Sequence, residues 1–161
     1  MKKMRRNLLP NLAAAICAVL VSPLAILGCS KMPNREISVP GATYRVPDSD
    51  VEAVIKDQGQ TLVRIHPAGT HFKLILNTRS DRRQKETGKL VISGVSNRFG
   101  NFESVDTPAG EVICSDVPHW NCGFEIFDQN SRWSVVFDRD YIHHTDELKA
   151  KALSILESYR G

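Results

Sequence analysis

The stretch GFEIFDQNSRWSVVFD, residues 123–138, decides the fold. Apolar and polar residues alternate on both sides of the turn-forming Asp128–Ser131. Alternation with a period of two directs every second side chain to the same face of a strand. The stretch therefore predicts a β-hairpin with one face buried. The apolar positions of that face are Phe124, Ile126, Trp133, Val135 and Phe137.

Shorter strand-like runs precede the hairpin. Two of them flank Pro67–Thr70, which has the composition of a hairpin loop. Val39–Ala42 is typical of a turn, and residues 97–110 are expected to form a loop because they contain Gly and Pro. Strands are predicted at residues 61–66, 71–77, 90–95 and 111–114.

Two helices are predicted outside this run of strands. Ser49–Glu52 matches a capping box, in which a Ser hydroxyl and a Glu carboxylate satisfy free amides at a helix start. It predicts a short helix at about residues 50–57 that ends at Gly59. Thr145 is expected to cap a C-terminal helix. Apolar residues then recur at helical spacing, which predicts a stripe for packing on a sheet. The stripe comprises Leu148, Ala152, Ile155, Leu156 and Tyr159.

The order of these elements predicts an α+β fold. The strands follow one another in a run that is bracketed by helices, without the βαβ alternation of parallel sheets. We therefore expect a mostly antiparallel sheet of about five or six strands, packed by the C-terminal amphipathic helix. Roughly 120 ordered residues are enough to bury a core of their own.

The charge distribution argues against a nucleic-acid partner. The chain has 21 Lys and Arg residues against 18 Asp and Glu, but four of the basic residues lie in the first six positions. Beyond Cys29, 17 basic residues remain against all 18 acidic ones, so this part carries a net charge of −1. A dedicated nucleic-acid binder has a clear basic excess.

The N-terminus determines the expected location. Its basic start is followed by an unbroken apolar run at residues 12–21. This order is typical of a secretory signal peptide, because positive charge resists translocation while the apolar run enters the bilayer. An uncleaved anchor is the alternative, since Leu8–Gly28 is long enough to span about 30 Å of hydrocarbon. Ordinary cleavage with release of the domain is a third possibility.

The end of this segment, Ile26-Leu27-Gly28-Cys29, resembles the lipobox of bacterial lipoproteins. The resemblance covers residues 1–29 only. It implies that Cys29 becomes the first mature residue and receives acyl chains, and more than one chain makes anchoring stable. The protein would then be anchored to a membrane of the bacterial cell envelope, with its domain facing the periplasm or the outside. The expected organisation is a signal peptide at 1–28, a lipid-anchored tether at 29–38 and a single domain at 39–161.

The cysteines fit an exported protein. Cys17 lies in the apolar run and Cys29 at the lipobox, which leaves Cys114 and Cys122 in a compartment where disulfides persist. The even remainder predicts a disulfide bond between them, and two free buried thiols are the alternative. Closing so short a loop would stabilise the fold by roughly 2.5 kcal/mol.

No sequence motif identifies a catalytic residue or a cofactor. The chain has neither a Gly-x-Ser-x-Gly motif nor a phosphate-binding glycine-rich loop. Its five histidines are scattered, whereas a metal site needs three or four converging ligands. We therefore predict no catalytic residue, no cofactor and no metal site. A small envelope hydrolase that uses a His–Asp pair, or a metal-binding protein, is the alternative.

The candidate binding residues lie in two segments. The loop closed by the disulfide carries His119 and Trp120, and preorganised loops with an aromatic anchor bind at low entropic cost. We expect Trp120 to be at least partly exposed, with a ring that covers the sheet edge as the alternative. Arg79, Arg82 and Arg83 could bind an anionic partner such as phospholipid headgroups, or could lie in a solvated loop. The expected function is a non-enzymatic binding, accessory or inhibitor-like domain, with a partner such as another envelope protein.

Overall fold

The computed structural model describes residues 33–39, 41–79, 92–95 and 102–161. The C-terminal helix, α1, spans Thr145–Tyr159 and follows a 3-10 turn at Arg139–His144. A second 3-10 turn spans Asp48–Asp50. The strands are β1 (Asn34–Val39), β2 (Ala42–Pro47), β3 (Val51–Asp57), β4 (Gln60–Ile65), β5 (Phe72–Asn77), β6 (Phe102–Thr107), β7 (Gly110–Ser115), β8 (Cys122–Asp128) and β9 (Ser131–Phe137).

The main sheet has seven strands in the order β3-β4-β5-β9-β8-β7-β6. All of its neighbouring strands are antiparallel. Strands β1 and β2 form a separate two-stranded hairpin, whose turn lies within the predicted Val39–Ala42. The α+β fold and the mostly antiparallel sheet are thus confirmed, and the main sheet is one strand larger than the upper expectation.

The hairpin at residues 123–138 is confirmed and lies near the centre of the sheet as β8 and β9. Asp128 pairs with Ser131, and the two residues between them, Gln129 and Asn130, have φ of 45° and 65°. Positive φ at both positions matches the right-handed twist of the strands. The five predicted apolar side chains of this hairpin are all buried.

These side chains point to one face of the sheet, which we call the inner face. Helix α1 and the β1–β2 hairpin pack against it. The helix buries four members of the predicted stripe, while Ile155 is only half-buried. Thr145 is the first helical residue and makes no side-chain capping bond, so its predicted capping role is wrong. The side chains fully buried in this core include Val63, Leu74, Phe124, Trp133 and Leu156.

Polar groups buried at the inner face are hydrogen-bonded to one another. The Tyr44 hydroxyl donates to Oδ2 of Asp128 at 2.8 Å, and the indole N–H of Trp133 donates to the Tyr44 hydroxyl oxygen at 3.3 Å. Arg160 forms an ion pair with the same Asp128 carboxylate. Burial and the Asp128 carboxylate together raise the pKa of Tyr44 to about 12. The network ties the β1–β2 hairpin and the C-terminus to the turn between β8 and β9.

The opposite, outer face carries a short covering segment, residues 92–95. The backbone N–H of Ser93 donates to the hydroxyl oxygen of Ser134 at 3.0 Å. Gly94 adopts φ of 91°, and a Cβ there would lie 2.3 Å from Cδ1 of Ile75. Glycine thus allows the segment to lie directly on the sheet. Residues 92–95 are not a strand, so this part of the strand predicted at 90–95 is wrong, and residues 90 and 91 lie outside the described ranges.

The helix predicted at about residues 50–57 is wrong, because this segment is strand β3. The Ser49 hydroxyl donates to Oδ1 of Asp50 at 3.1 Å, and Oδ2 of Asp50 accepts the hydroxyl of Tyr159 at 2.6 Å. The backbone of β3 pairs with β4 across a turn at Gln58-Gly59, where both residues have positive φ. Sheet pairing therefore supplies the hydrogen bonds that a capping box would have supplied.

Two other boundaries differ from the sequence-based expectation. Part of the predicted loop at residues 97–110 is the edge strand β6, which pairs with β7 across a tight turn at Pro108-Ala109. Residues 34–38 of the predicted tether belong to β1, where Ile37 is buried against the inner-face core. Both segments are strands because a neighbouring strand completes their hydrogen bonds, which their own composition does not reveal.

Candidate binding site

The predicted disulfide between Cys114 and Cys122 is confirmed. The two residues lie directly opposite each other in β7 and β8, and both are buried. The loop between them is closed a second time by its backbone, since Ser115 N–H donates to the carbonyl oxygen of Asn121 at 2.7 Å. The amide of Asn121 donates to the carbonyl of Val117 at 3.0 Å, and its side-chain oxygen accepts the N–H of Arg139 at 2.8 Å. The loop is therefore held in one shape.

Trp120 lies at the end of this loop and folds back over the outer face of the sheet. Its backbone has φ of 53°, and its N–H donates to the carboxylate of Asp138. The indole is half-buried and packs on the outer-face apolar cluster. The buried residues of that cluster are Ile75, Ile92, Val95 and Val136. Trp120 is thus partly accessible and partly a cover for the sheet.

Polar side chains surround the Trp120 ring. The imidazole of His66 contacts it edge-on, with ring centres 5.4 Å apart. Nζ of Lys73 lies 4.6 Å from the ring centre, which is cation–π geometry. The same Nζ is 2.6 Å from Oε1 of Glu52, and His66 Nδ1 is 3.8 Å from that oxygen. The pairing of β3 with β4 shifts between Val51 and Ala53, so Glu52 lies at a β-bulge, a device that redirects a side chain.

Glu52, Lys73 and Trp120 line a cleft of about 490 Å³ on the outer face of the sheet. Its walls combine an apolar floor with a few charged side chains, as small-molecule sites usually do. Two of the described lining side chains are basic and one is a carboxylate. The cleft is lined by Glu52, Arg64, Lys73, Ile75, Gly94, Val95, His119, Trp120 and Val136.

Arg64 lines the cleft without an ion pair to any carboxylate in the described parts of the chain. It lies in β4 opposite Ile75 of β5, and its side chain is exposed. Lys73, two residues before Ile75 in β5, is on the same face and is already paired with Glu52. An unpaired guanidinium beside an apolar floor is suited to an anionic group.

His119 stands at the rim of the cleft. Its Nδ1 lies 3.7 Å from Oδ2 of Asp138, and 77% of its side chain is exposed. The other carboxylate oxygen of Asp138 accepts a hydrogen bond from the backbone N–H of Trp120. The described residues that line the cleft include no Ser, Thr or Cys that could act as a nucleophile. The His–Asp contact therefore orients the loop, and it does not make a nucleophile–base pair with a described side chain.

The other predicted site residues do not join this cleft. Arg79 is exposed just after β5 and lines a separate cleft with Asp57 and Asn77. Arg82, Arg83 and Cys29 lie outside the described ranges. Within those ranges, no three His, Cys, Asp or Glu side chains are grouped so that they could hold a metal ion. The described ranges also contain no helix that is both long and apolar enough to cross a membrane.

Trp120 and His119 were identified from the sequence, whereas Arg64, Lys73 and Glu52 were not. Arg64 and Lys73 each interrupt an otherwise apolar strand at a position that alternation assigns to the outer face, so the sequence held a signal for both. Glu52 was predicted to be part of a helix cap, and nothing else in the sequence indicated it. No family model matches the chain, and no curated protein or solved structure is detectably similar to it.

Proposed function

We propose that this chain is a non-enzymatic lipoprotein of the bacterial cell envelope, whose folded domain binds a ligand or partner through the outer-face cleft. The lipobox-like Ile26–Cys29 and the preceding basic and apolar segments support the anchor. The disulfide between Cys114 and Cys122 supports an oxidising compartment. The role is that of a binding, accessory or inhibitor-like domain held at the membrane surface.

The position of Trp120 is the observation that carries the binding proposal. A disulfide, a backbone hydrogen bond and the Asp138 carboxylate hold its loop, yet the ring is not fully buried. The half-exposed ring presents apolar surface at the cleft, and aromatic side chains with one accessible side are common at binding sites. A ligand that covers the ring gains contact area without having to order the loop.

Photo-crosslinking in intact envelopes tests this proposal. p-Benzoylphenylalanine replaces His119 at the cleft rim in one variant and Ser154, exposed on α1, in the matched control. We expect an adduct that is specific to position 119 and that is lost when Trp120→Ala is added. Mass spectrometry identifies the adduct. The same adducts from both positions, or none from position 119, would contradict the proposed binding site.

The lipid anchor is tested separately by mass spectrometry of the mature N-terminus. We expect the chain to begin at an acylated Cys29, and Cys29→Ala to prevent acylation and change membrane retention. An intact Met1 in membrane-extracted protein would refute the lipoprotein and leave an uncleaved anchor. An unmodified start in released protein would point to ordinary secretion.

A small envelope hydrolase is the second candidate, because His119 and Asp138 are in contact beside the cleft. In that case His119 would act as a general base on water, since none of the described lining side chains carries a hydroxyl or thiol. His119→Ala would then abolish ester or amide hydrolysis by the purified protein while leaving ligand binding in place. Hydrolysis that is absent in the wild-type protein would remove this candidate.

A further inference from the structure

The charge balance of the cleft selects for a single negative charge. Among the described residues that line the cleft, Arg64 and Lys73 contribute two positive charges and Glu52 contributes one negative charge. Because Nζ of Lys73 and Oε1 of Glu52 are 2.6 Å apart, their charges largely cancel. The charge of Arg64 is the one that these described residues leave unbalanced. A ligand with several charges would leave the excess unpaired, and a neutral ligand would leave Arg64 unpaired.

Lys73 is held in position before any ligand arrives. Its ammonium group lies between the Glu52 carboxylate and the Trp120 ring, and only 22% of its side chain is exposed. Lysine has three donor hydrogens, and the ring and Glu52 do not use all of them. Lys73 can thus donate to the ligand anion with little loss of side-chain entropy, beside the bidentate donor set of Arg64.

The ring of Trp120 favours an apolar body attached to the charge. Ile75, Val95 and Val136 line the bottom of the cleft but are themselves buried, and Gly94 lies directly over Ile75. The accessible apolar surface of the cleft is therefore mainly the half-buried ring of Trp120, which forms one side. An inorganic anion would leave this ring in contact with water, whereas an aliphatic or aromatic group would cover it.

We propose that the cleft takes an amphiphilic monoanion, in which one carboxylate or phosphate ester binds Arg64 and Lys73 while an apolar or aromatic body lies against the ring of Trp120. This assignment rests on the proposed function, because it names the ligand class of the same cleft. The charged group sets the selectivity, and the apolar body supplies most of the contact area.

Fluorine NMR of the full-length chain in discs of zwitterionic phospholipid tests the ligand class. The three probes are 4-(trifluoromethyl)benzoate, its neutral amide, and trifluoroacetate, which has the charge without the aromatic body. We expect the benzoate to bind about tenfold or more tightly than the amide, since hydrogen bonds to charged groups discriminate by at least that factor. Trifluoroacetate should bind more weakly than the benzoate.

Single variants locate this selectivity in the cleft. Arg64→Gln should remove the preference for the benzoate and leave amide binding unchanged. Arg45→Gln is the matched control, because Arg45 is exposed on β2, away from the cleft. Trp120→Ala should weaken benzoate and amide together, since both bodies use the ring.

The outcomes separate the ligand class from the binding site. Equal binding of benzoate and amide, or a preference that survives Arg64→Gln, overturns the monoanion assignment. If the crosslink at position 119 is still specific, the proposed function stands without that assignment. If none of the probes binds at millimolar concentration, the assignment also fails, and the crosslink alone decides whether the cleft binds anything.

The anion could belong to a free metabolite-sized ligand or to a lipid headgroup of the bilayer. Repeating the benzoate titration in discs that contain phosphatidylglycerol distinguishes these sources. If both the wild-type and the Arg45→Gln proteins lose benzoate binding, the headgroup is identified as the ligand, because the headgroup then competes with benzoate for Arg64. Unchanged binding identifies a free ligand. Each result supports the shared monoanion chemistry.

Discussion

The two faces of the seven-stranded sheet differ in whether their charged side chains are paired. On the inner face, Asp128 is buried and its carboxylate is bonded to Tyr44 and Arg160. On the outer face, Arg64 is exposed and has no hydrogen bond or ion pair to any described residue. Buried polar groups must be paired for the fold to be stable, whereas an unpaired charge in a cleft is available to a ligand. The inner face therefore serves stability and the outer face is available for binding.

The largest expected effect would come from breaking the inner-face network. Asp128→Ala removes the charged acceptor of the buried Tyr44 hydroxyl, and a hydrogen bond to a charged group contributes about 1.5–3 kcal/mol. Denaturant unfolding measures this loss. Asp57→Ala, at the exposed end of β3, is the control and should change stability by less than about 0.5 kcal/mol. Similar values for the two variants would show that the network is dispensable.

Alkaline pH tests the same network without removing an atom. The pKa of Tyr44 is raised from 10.0 to about 12, so the fold favours the neutral phenol. The stabilisation is complete below pH 10 and is lost as the pH rises towards 12, which amounts to about 3 kcal/mol for a shift of this size. Unfolding free energies of the wild-type protein and Tyr44→Phe should therefore converge over this range. Parallel pH profiles would contradict the assignment.

Trp120→Ala, on the outer face, should lower the free energy of unfolding less than the changes to the inner-face network do. Its ring is half-buried, so we expect a loss of about 1–2 kcal/mol, below the roughly 3–5 kcal/mol of a fully buried Trp. Trp133→Ala on the inner face is the matched comparison, because Trp133 is fully buried. Equal losses in thermal or denaturant melts would mean that Trp120 serves the core as much as the cleft.

Arg64→Gln should have the smallest effect on stability and the most selective effect on binding. An exposed side chain with no described partner changes the free energy of unfolding by less than about 0.5 kcal/mol. The same variant should lose the preference for an anionic probe. A substantial loss of stability would show that Arg64 has a structural partner, and would remove the contrast between the two faces.

Much of the inner face could be predicted from the sequence. The hairpin of β8 and β9, strands β4, β5 and β7, the stripe of α1 and the disulfide all follow from local patterns or from cysteine counting. These elements bury one face against a core, so their alternation or helical spacing is strong. Edge strand β3 was missed because its start matches a capping box, and edge strand β6 was missed because four of its six residues are polar. Both depend on a neighbouring strand for their hydrogen bonds.

The sequence by itself determined the buried faces of the β8–β9 hairpin and of α1, and it identified Trp120 and His119 as residues worth testing. Only the tertiary structure decided that Trp120 lies over Lys73 and beside His66, because these residues are distant in the chain and meet through strand register. The β-bulge at Glu52 likewise exists only once β3 pairs with β4. A core is encoded by repetition along the chain, whereas a cleft is made by single side chains that sheet pairing brings together.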